Sequence, residues 1–268
     1  MWRRPNAWMV VTVTAAGAAA ITMTSLADRD SRAEPRVTTR TLPVVPQRRI
    51  LRSEVNLGRS VRGRPIRAIV LGDPSATKPV LVVGCIHGNE TAGIAVADRL
   101  ASGPPPRRSA IWIIPALNPD GVAAGTRQNA HHVDLNRNFP FGWQPPLGHR
   151  GDQQYAGPRA LSEPESRLAR TLILRLRPRL TIWFHQPLAI TDRSGGDARI
   201  EARFAALSRL PLTRLPRYPG SVATWENHQR WAGTAFVVEL PPLRPTESAV
   251  GSRGRFPDRF GSVGPCDK

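Results

Sequence analysis

Four stretches of the chain are apolar at nearly every consecutive position. They are Pro79 to Ile86, Ala110 to Ala116, Leu180 to Phe184 and Thr234 to Leu240. Uninterrupted apolar runs of this length mark strands covered on both faces, as in parallel sheets. Segments with helical spacing lie between them. Over 90–102, Ile94, Ala95, Ala97 and Leu100 share a face. Over 162–176 the stripe is Leu168, Leu172, Ile173 and Leu176, with Ser162 and Glu165 spaced as a capping box. Residues 199–208 predict a further helix. Residues 56–72 predict a hairpin, with Leu57 to Val61 leading in, a turn at Arg62-Gly63-Arg64-Pro65, and Ile66 to Leu71 returning. Strands alternating with helices predict a three-layer α/β/α sandwich around a mixed, largely parallel sheet. Such folds collect ligands at the carboxyl ends of their strands.

The two ends of the chain break this pattern. Trp2-Arg3-Arg4 precedes an uncharged stretch from Ala7 to Ala27, and Ser25-Leu26-Ala27 offers small residues before Asp28. Residues 1–27 therefore read as an export signal or as an N-terminal membrane anchor. Either reading places the rest of the chain outside the cytoplasm: extracellular, associated with the cell wall, or anchored and facing outward. Residues 28–50 are rich in Arg and Pro and read as a linker. The expected folded domain is 51–241. Residues 242–268, rich in Gly, Pro and Arg, predict loop or disorder.

Composition narrows the picture a little further. A length of 268 residues with 40% hydrophobic content suits one domain with a large core and tails. The formal net charge is +18, and Lys78 and Lys268 are the only lysines among the 38 basic residues. Such a surface attracts polyanions. The arginines are scattered rather than clustered on one helix with aromatic residues between them, so no specific nucleic-acid partner is expected. Two cysteines, Cys85 and Cys266, do not make a disulfide scaffold. The sequence is silent on oligomeric state.

The chemistry-bearing residues cluster at predicted strand ends. His87-Gly88-Asn89-Glu90 follows the first buried run and opens the next helix, so one imidazole and one carboxylate can converge on a zinc ion. A His-x-x-Glu arises readily by chance, and its place at a strand end is what singles it out. A catalytic zinc needs a third protein ligand. His185 ends the run Leu180-Thr181-Ile182-Trp183-Phe184 and so falls on the same sheet edge. His131, His132, His149 and His228 lie in polar segments and read as solvated or structural. Glu239 sits within Phe236-Val237-Val238-Glu239-Leu240, where a charge needs either a function or a partner. It reads equally as a general base or as half of a buried salt bridge to an arginine. The polar stretch from Asn118-Pro119-Asp120-Gly121 through Arg127 to Val133-Asp134-Leu135-Asn136-Arg137-Asn138-Phe139 offers further groups. Arg137 and Asn136 can grip a carboxylate, Arg127 can face a developing oxyanion, and Asp134 can orient a ligating histidine.

Taken in order, His87-Gly88-Asn89-Glu90, Asn118-Pro119-Asp120-Gly121, Arg127, Asp134 to Phe139, His185 and Glu239 resemble the zinc metallocarboxypeptidase family of carboxypeptidase A. The compact spacing and Phe184-His185-Gln186-Pro187-Leu188 are most similar to its bacterial murein peptide amidase branch. The resemblance covers about residues 56–241. It implies one Zn2+ held by His87, Glu90 and His185. It implies Glu239 as general base and later proton donor, Arg127 polarising the scissile carbonyl, and Asn136 and Arg137 binding the substrate's terminal carboxylate. Asp134 would support His87, and Tyr218 matches the family's substrate-capping tyrosine in its spacing from Glu239. The implied reaction is hydrolysis of an amide beside a free carboxylate, the γ-D-glutamyl–diaminopimelate bond of cell-wall peptides. Carboxypeptidase action on ordinary peptide C-termini and silent binding of cell-wall peptides are the alternatives. His131-His132 and the tail after Arg244 depart from the family pattern.

Overall fold

The computed structural model describes residues 51–145, 148–231 and 233–242. The signal or anchor, the linker and all but the first residue of the tail lie outside them. Eight strands run through the described part: β1 Leu51–Arg59, β2 Pro65–Gly72, β3 Val80–Val83, β4 Ala110–Ile114, β5 Leu180–His185, β6 Ile190–Asp192, β7 Leu212–Thr213 and β8 Thr234–Glu239. They form one sheet in the order β1-β2-β4-β3-β5-β8-β6-β7. Its centre is parallel, through β4, β3, β5 and β8, while β1, β2 and β6 join antiparallel. The sheet is therefore mixed with a parallel heart, as the continuous apolar runs imply.

Helices cover both faces, and strand alternation assigns side chains to each. Leu81, Val83, Trp112, Ile114 and Trp183 pack in one core with Ala169, Leu172 and Ile173 of α3 (Pro164–Leu176) and Val222, Ala223 and Trp225 of α5 (Val222–Asn227). Val82, Ile113, Ile182, Phe236 and Val238 face the opposite way, against Ala97 and Ala101 of α1 (Ala92–Ala101) and against Phe204 of α4 (Ala198–Ser208). This is the expected three-layer sandwich. Among the described residues no helix is long and apolar enough to cross a membrane.

Two local outcomes differ from the pattern reading. Asn118-Pro119-Asp120-Gly121, whose composition suggests a turn, is the start of a helix, α2 (Pro119–Ala124). The Asn118 side chain accepts from the Gly121 N–H at 2.8 Å, Pro119 occupies the first turn, and Gly125 closes the helix in the left-handed region at φ 66°. The predicted capping box on α3 does not form. Pro164 opens that helix, and the capping position falls to Glu163 without a side-chain cap. Ser162 Oγ instead donates to Glu163, and Glu165 accepts from the Val61 N–H and from Asn129. Both carboxylates are buried and drawn into holding Asn129, so long-range hydrogen bonds replace the local ones.

The entry of α1 depends on a close approach. A Cβ on Gly93 would stand 1.8 Å from the Gly84 carbonyl oxygen, so any larger residue would push the helix off the end of β3. That contact fixes how the segment 84–91, which carries the His-x-x-Glu motif, leaves the sheet.

Candidate active site

β3 and β5 are hydrogen-bonded parallel neighbours, so their carboxyl ends open on the same edge. His185 is the last residue of β5. His87 follows β3 after a short connection, in which the Gly84 N–H donates to Ile114 and the Cys85 carbonyl accepts from Leu117. A turn closed by the Glu90 N–H donating to the His87 carbonyl at 2.9 Å sets these two side chains together. Cys85, a free buried thiol, points back to the His87 carbonyl, and burial pushes its pKa well above the ordinary thiol value.

The three residues converge. His87 Nδ1 lies 2.9 Å from Glu90 Oε1, His185 Nδ1 lies 2.9 Å from Glu90 Oε2, and the two Nδ1 atoms are 3.1 Å apart. All three side chains are buried, and one ligand atom from each lies within 4.8 Å of the others. Two imidazole nitrogens aimed at one another and at a carboxylate form a set that protons alone satisfy poorly, because only one proton fits between each pair. Two histidines and one carboxylate are the donor chemistry of an open catalytic zinc site. These residues fit the ion that the sequence implies.

Polar neighbours hold this set in place. His87 Nε2 lies 3.1 Å from Asp134 Oδ1, which orients the ring so that Nδ1 faces the centre. Arg127 bridges the two acids, donating from Nε to Asp134 at 2.9 Å and from Nη1 to Glu90 at 3.1 Å. Burial opposes ionisation of Glu90 and of Asp134. The hydrogen bonds of His185 and His87 outweigh it for Glu90, and the charges of His87 and Arg127 outweigh it for Asp134, so both carboxyls stay well below their usual range. Burial also disfavours a charged His87, but the facing Asp134 outweighs it and raises the pKa. For His185 burial outweighs the Glu90 hydrogen bond and lowers the pKa.

Glu239 ends β8 in register with His185, so the two stand side by side across the β5–β8 pair. Among the described residues no arginine pairs with it. The Leu188 N–H donates to its carboxyl, and Oε2 is buried with no partner. Burial, and after it the charge of Glu90, push the carboxyl up to about 7, where it exchanges a proton near neutrality. The salt-bridge reading of Glu239 finds no partner here.

Asn136 and Arg137 lie in a single 3-10 turn, Leu135–Arg137, begun by the Asp134 side chain accepting from the Asn136 N–H at 2.9 Å. Both are buried at the foot of the cleft. Asn136 Oδ1 accepts from the Val222 N–H at 3.0 Å, which ties the turn to the start of α5. Arg137 Nη1 donates to the Asn136 carbonyl, while Nε is buried without a partner. Tyr218 lays its ring over this guanidinium, 4.1 Å from Cζ to the ring centroid, and keeps 41% of its surface exposed. Gly220, at φ 72°, lets its loop touch the turn, since a Cβ there would stand 1.9 Å from the Arg137 carbonyl oxygen.

Nearly all the sequence-derived candidates therefore line one cleft of about 330 Å³: His87, Glu90, Arg127, Asn136, Arg137, His185, Tyr218 and Glu239. Asp134 stands behind His87 and off the surface. His131 pairs with Glu163 at 2.8 Å and His228 stacks on Phe141, both away from the metal residues. The pattern reading missed the far wall of the cleft, made by Asp192, Ser194, Leu215, Arg217 and Thr224. Asp192 carried a signal, being a charge closing the short run Ile190-Thr191, as Glu239 closes its own. Leu215 and Arg217 carried none, because they lie in a loop that only folding brings to the site.

Models of two protein families match the sequence. The zinc carboxypeptidase family matches residues 48–103, and the succinylglutamate desuccinylase/aspartoacylase catalytic domain matches residues 76–172. Murein peptide amidase A of Escherichia coli strain K12 is 30% identical over 205 residues, which cover 72% of this chain and 83% of that protein. The Vibrio campbellii protein of the same name is 29% identical over 219 residues, covering 77% of this chain and 87% of it. Among solved structures, the murein-tripeptide amidase of E. coli O157 superposes with a TM-score of 0.59 at 27% identity, covering 79% of this chain and 92% of that one. Carboxypeptidase A of Helicoverpa armigera shares the fold, with a TM-score of 0.61 at 21% identity over 74% of this chain and 61% of its own.

Proposed function

This chain belongs to the zinc carboxypeptidase family, in the branch of the murein peptide amidases, and from that premise we propose that it cleaves the γ-D-glutamyl–diaminopimelate amide of cell-wall peptides. It is a zinc-dependent hydrolase of peptide bonds. One observation carries the reading. The His87–Glu90–His185 set, the unpaired Glu239 carboxyl and the Asn136–Arg137 turn open into a single cleft. A metal site beside an anion site suits an amide whose leaving residue carries a free carboxylate.

His87, Glu90 and His185 hold the zinc ion, which when bound supplies Lewis acidity that polarises a carbonyl and acidifies water. The chain's own residues do the rest. Arg137, with Asn136 beside it, pairs with the carboxylate of the leaving residue and places the amide over the metal residues. Tyr218, already resting on Arg137, closes over the bound end. Arg127, braced by Glu90 and Asp134, turns its remaining N–H groups to the carbonyl oxygen as negative charge develops there. Glu239 takes a proton from the attacking water at Oε2 and returns it to the departing amine nitrogen. One water is consumed, the C–N bond breaks, and a carboxylate and a free diaminopimelate amine result.

The uncharged leader at 7–27 supports action outside the cytoplasm, where such peptides occur. N-terminal sequencing of the protein recovered from outside the cytoplasm tests export and shows whether the leader is removed. The activity is tested with zinc-loaded protein on L-alanyl-γ-D-glutamyl-diaminopimelate and on ordinary C-terminal dipeptides. Chelator-sensitive release of diaminopimelate is expected. Turnover of the α-linked dipeptides alone points to an ordinary carboxypeptidase. Tight tripeptide binding without turnover, unchanged by Glu239→Gln, points to a silent binding protein.

A further inference from the structure

The far wall of the cleft has a charge arrangement that the reaction itself does not use. Three carboxylates line the cleft: Glu90, Glu239 and Asp192. The first belongs to the metal set and the second to the reacting end. Both oxygens of Asp192 are engaged. Oδ1 accepts from the Leu215 N–H at 2.8 Å, while Oδ2 accepts from Ser194 Oγ at 2.6 Å and from Arg217 Nη1 at 2.8 Å. It is 2% exposed, and three of its roughly four acceptor positions are taken within the protein.

Arg217 is in the opposite condition. Its side chain keeps 29% of its surface, and among the described residues its only partner is Asp192. A guanidinium has five N–H donors, and one of them is used here. The neighbouring hydroxyls of Ser194 and Thr224, with Val237 and Leu215, complete a pocket wall of small and apolar groups. A substrate side chain entering this wall therefore meets free guanidinium donors held in place by a buried acid that is already paired, beside hydroxyls that carry no charge to match an ammonium group. Arg217 precedes Tyr218, which rests on Arg137, and both arginines line the same cleft.

We propose that Arg217, held in position by Asp192, reads a carboxylate at the far end of the leaving residue's side chain and sets a preference for acid-ended residues over amine-ended ones. The inference rests on the reading that Asn136 and Arg137 take the leaving residue's own carboxylate. It adds that the distal carboxylate of diaminopimelate, and not its distal amine, is the recognised group. A fixed, planar guanidinium suits that role better than an ammonium, since it can hold Asp192 with one edge and the substrate with another.

Three γ-D-glutamyl substrates separate the groups: one ending in diaminopimelate, one in 2-aminopimelate, which keeps the distal carboxylate and lacks the amine, and one in lysine, which keeps the amine alone. The zinc-loaded protein should cleave the first two with similar kcat/KM and the lysine substrate at least about tenfold less well. Arg217→Met should remove that gap by raising KM for the first two, leaving the lysine substrate within about twofold. Arg217→Lys should restore part of the gap. Calorimetric binding of free 2-aminopimelate, tighter than that of lysine in the parent and equal to it in Arg217→Met, gives a readout apart from turnover. Equal parent rates on the lysine and diaminopimelate substrates would overturn the proposal. So would an equal loss on all three substrates in Arg217→Met with the melting temperature kept, because Arg217 would then only brace its loop. If no γ-linked substrate is cleaved, the murein reading fails. The same three residues on an α-linked acylglycyl donor then decide the role of Arg217 by itself.

Discussion

Replacing Glu226 with glutamine should reverse its effect on stability between acid and neutral pH. Glu226 lies on α5 with 5% of its surface exposed, under the central strands. Its carboxyl accepts from Thr181 Oγ1 and, at 3.4 Å, from Trp183 Nε1, and among the described residues no cation pairs with it. Burial outweighs these two hydrogen bonds and pushes its pKa up from the ordinary 4.5 to about 7. Below pH 4.5 the folded and unfolded chains are both protonated here, and the group has no pH effect. Between 4.5 and 7 the unfolded chain ionises first, so each rising pH unit removes about 1.4 kcal/mol of stability. Above 7 the loss levels off at about 3 kcal/mol. Glutamine does not titrate and should escape this loss, though it gives up some of the fit to Thr181 and Trp183. Urea unfolding of the parent and of Glu226→Gln at pH 4.5, 6 and 8 measures the difference, and the subtraction cancels the other titrating groups. The variant should be no more stable than the parent at pH 4.5 and should gain on it by about 3 kcal/mol by pH 8. A difference that stays flat within about 0.5 kcal/mol over that range would show that the Glu226 proton is not retained in the fold.

Three further outcomes follow from the site. Glu239→Gln should lower kcat by about 10²- to 10⁴-fold while bound zinc, measured by atomic emission, stays unchanged; a zinc-depleted variant would mean that Glu239 helps hold the metal. Asp134→Asn, which keeps an oxygen facing His87 but drops the charge, should weaken zinc binding by about 10- to 100-fold in a competitive chelator titration. Unchanged affinity would reduce Asp134 to packing. Gly220→Ala should cost about 1–3 kcal/mol in thermal or urea unfolding and raise KM more than it lowers kcat, because the new methyl displaces the Arg137 backbone. A loss in kcat alone would place the strain elsewhere.

Much of this protein is legible in its sequence because a central strand covered on both faces has to be apolar throughout. The runs at 80–83, 110–114, 180–185 and 234–239 announced the parallel heart of the sheet, and the two helices of clear amphipathic spacing announced its layers. The same logic made His87, Glu90, His185 and Glu239 visible, since polar groups closing an apolar strand are costly unless they have work to do. The reading missed α2 although its signals are local, with Asn118, Pro119 and Gly125 as a cap, a first turn and a stop. What the sequence left open was decided by contacts between distant segments. Ser162 and Glu165 had the spacing of a capping box, yet Asn129 and Val61 claimed Glu165 once the fold brought them close. Glu239 could have paired with any of many arginines, and only the β5–β8 register put it beside His185 with its oxygen bare. Arg217 looked like one more surface arginine until β6 and α5 closed around it and Asp192 took hold of it. Strand ends are set by local patterns of burial. The far wall of a cleft is set by loops, whose positions depend on every layer packed beneath them.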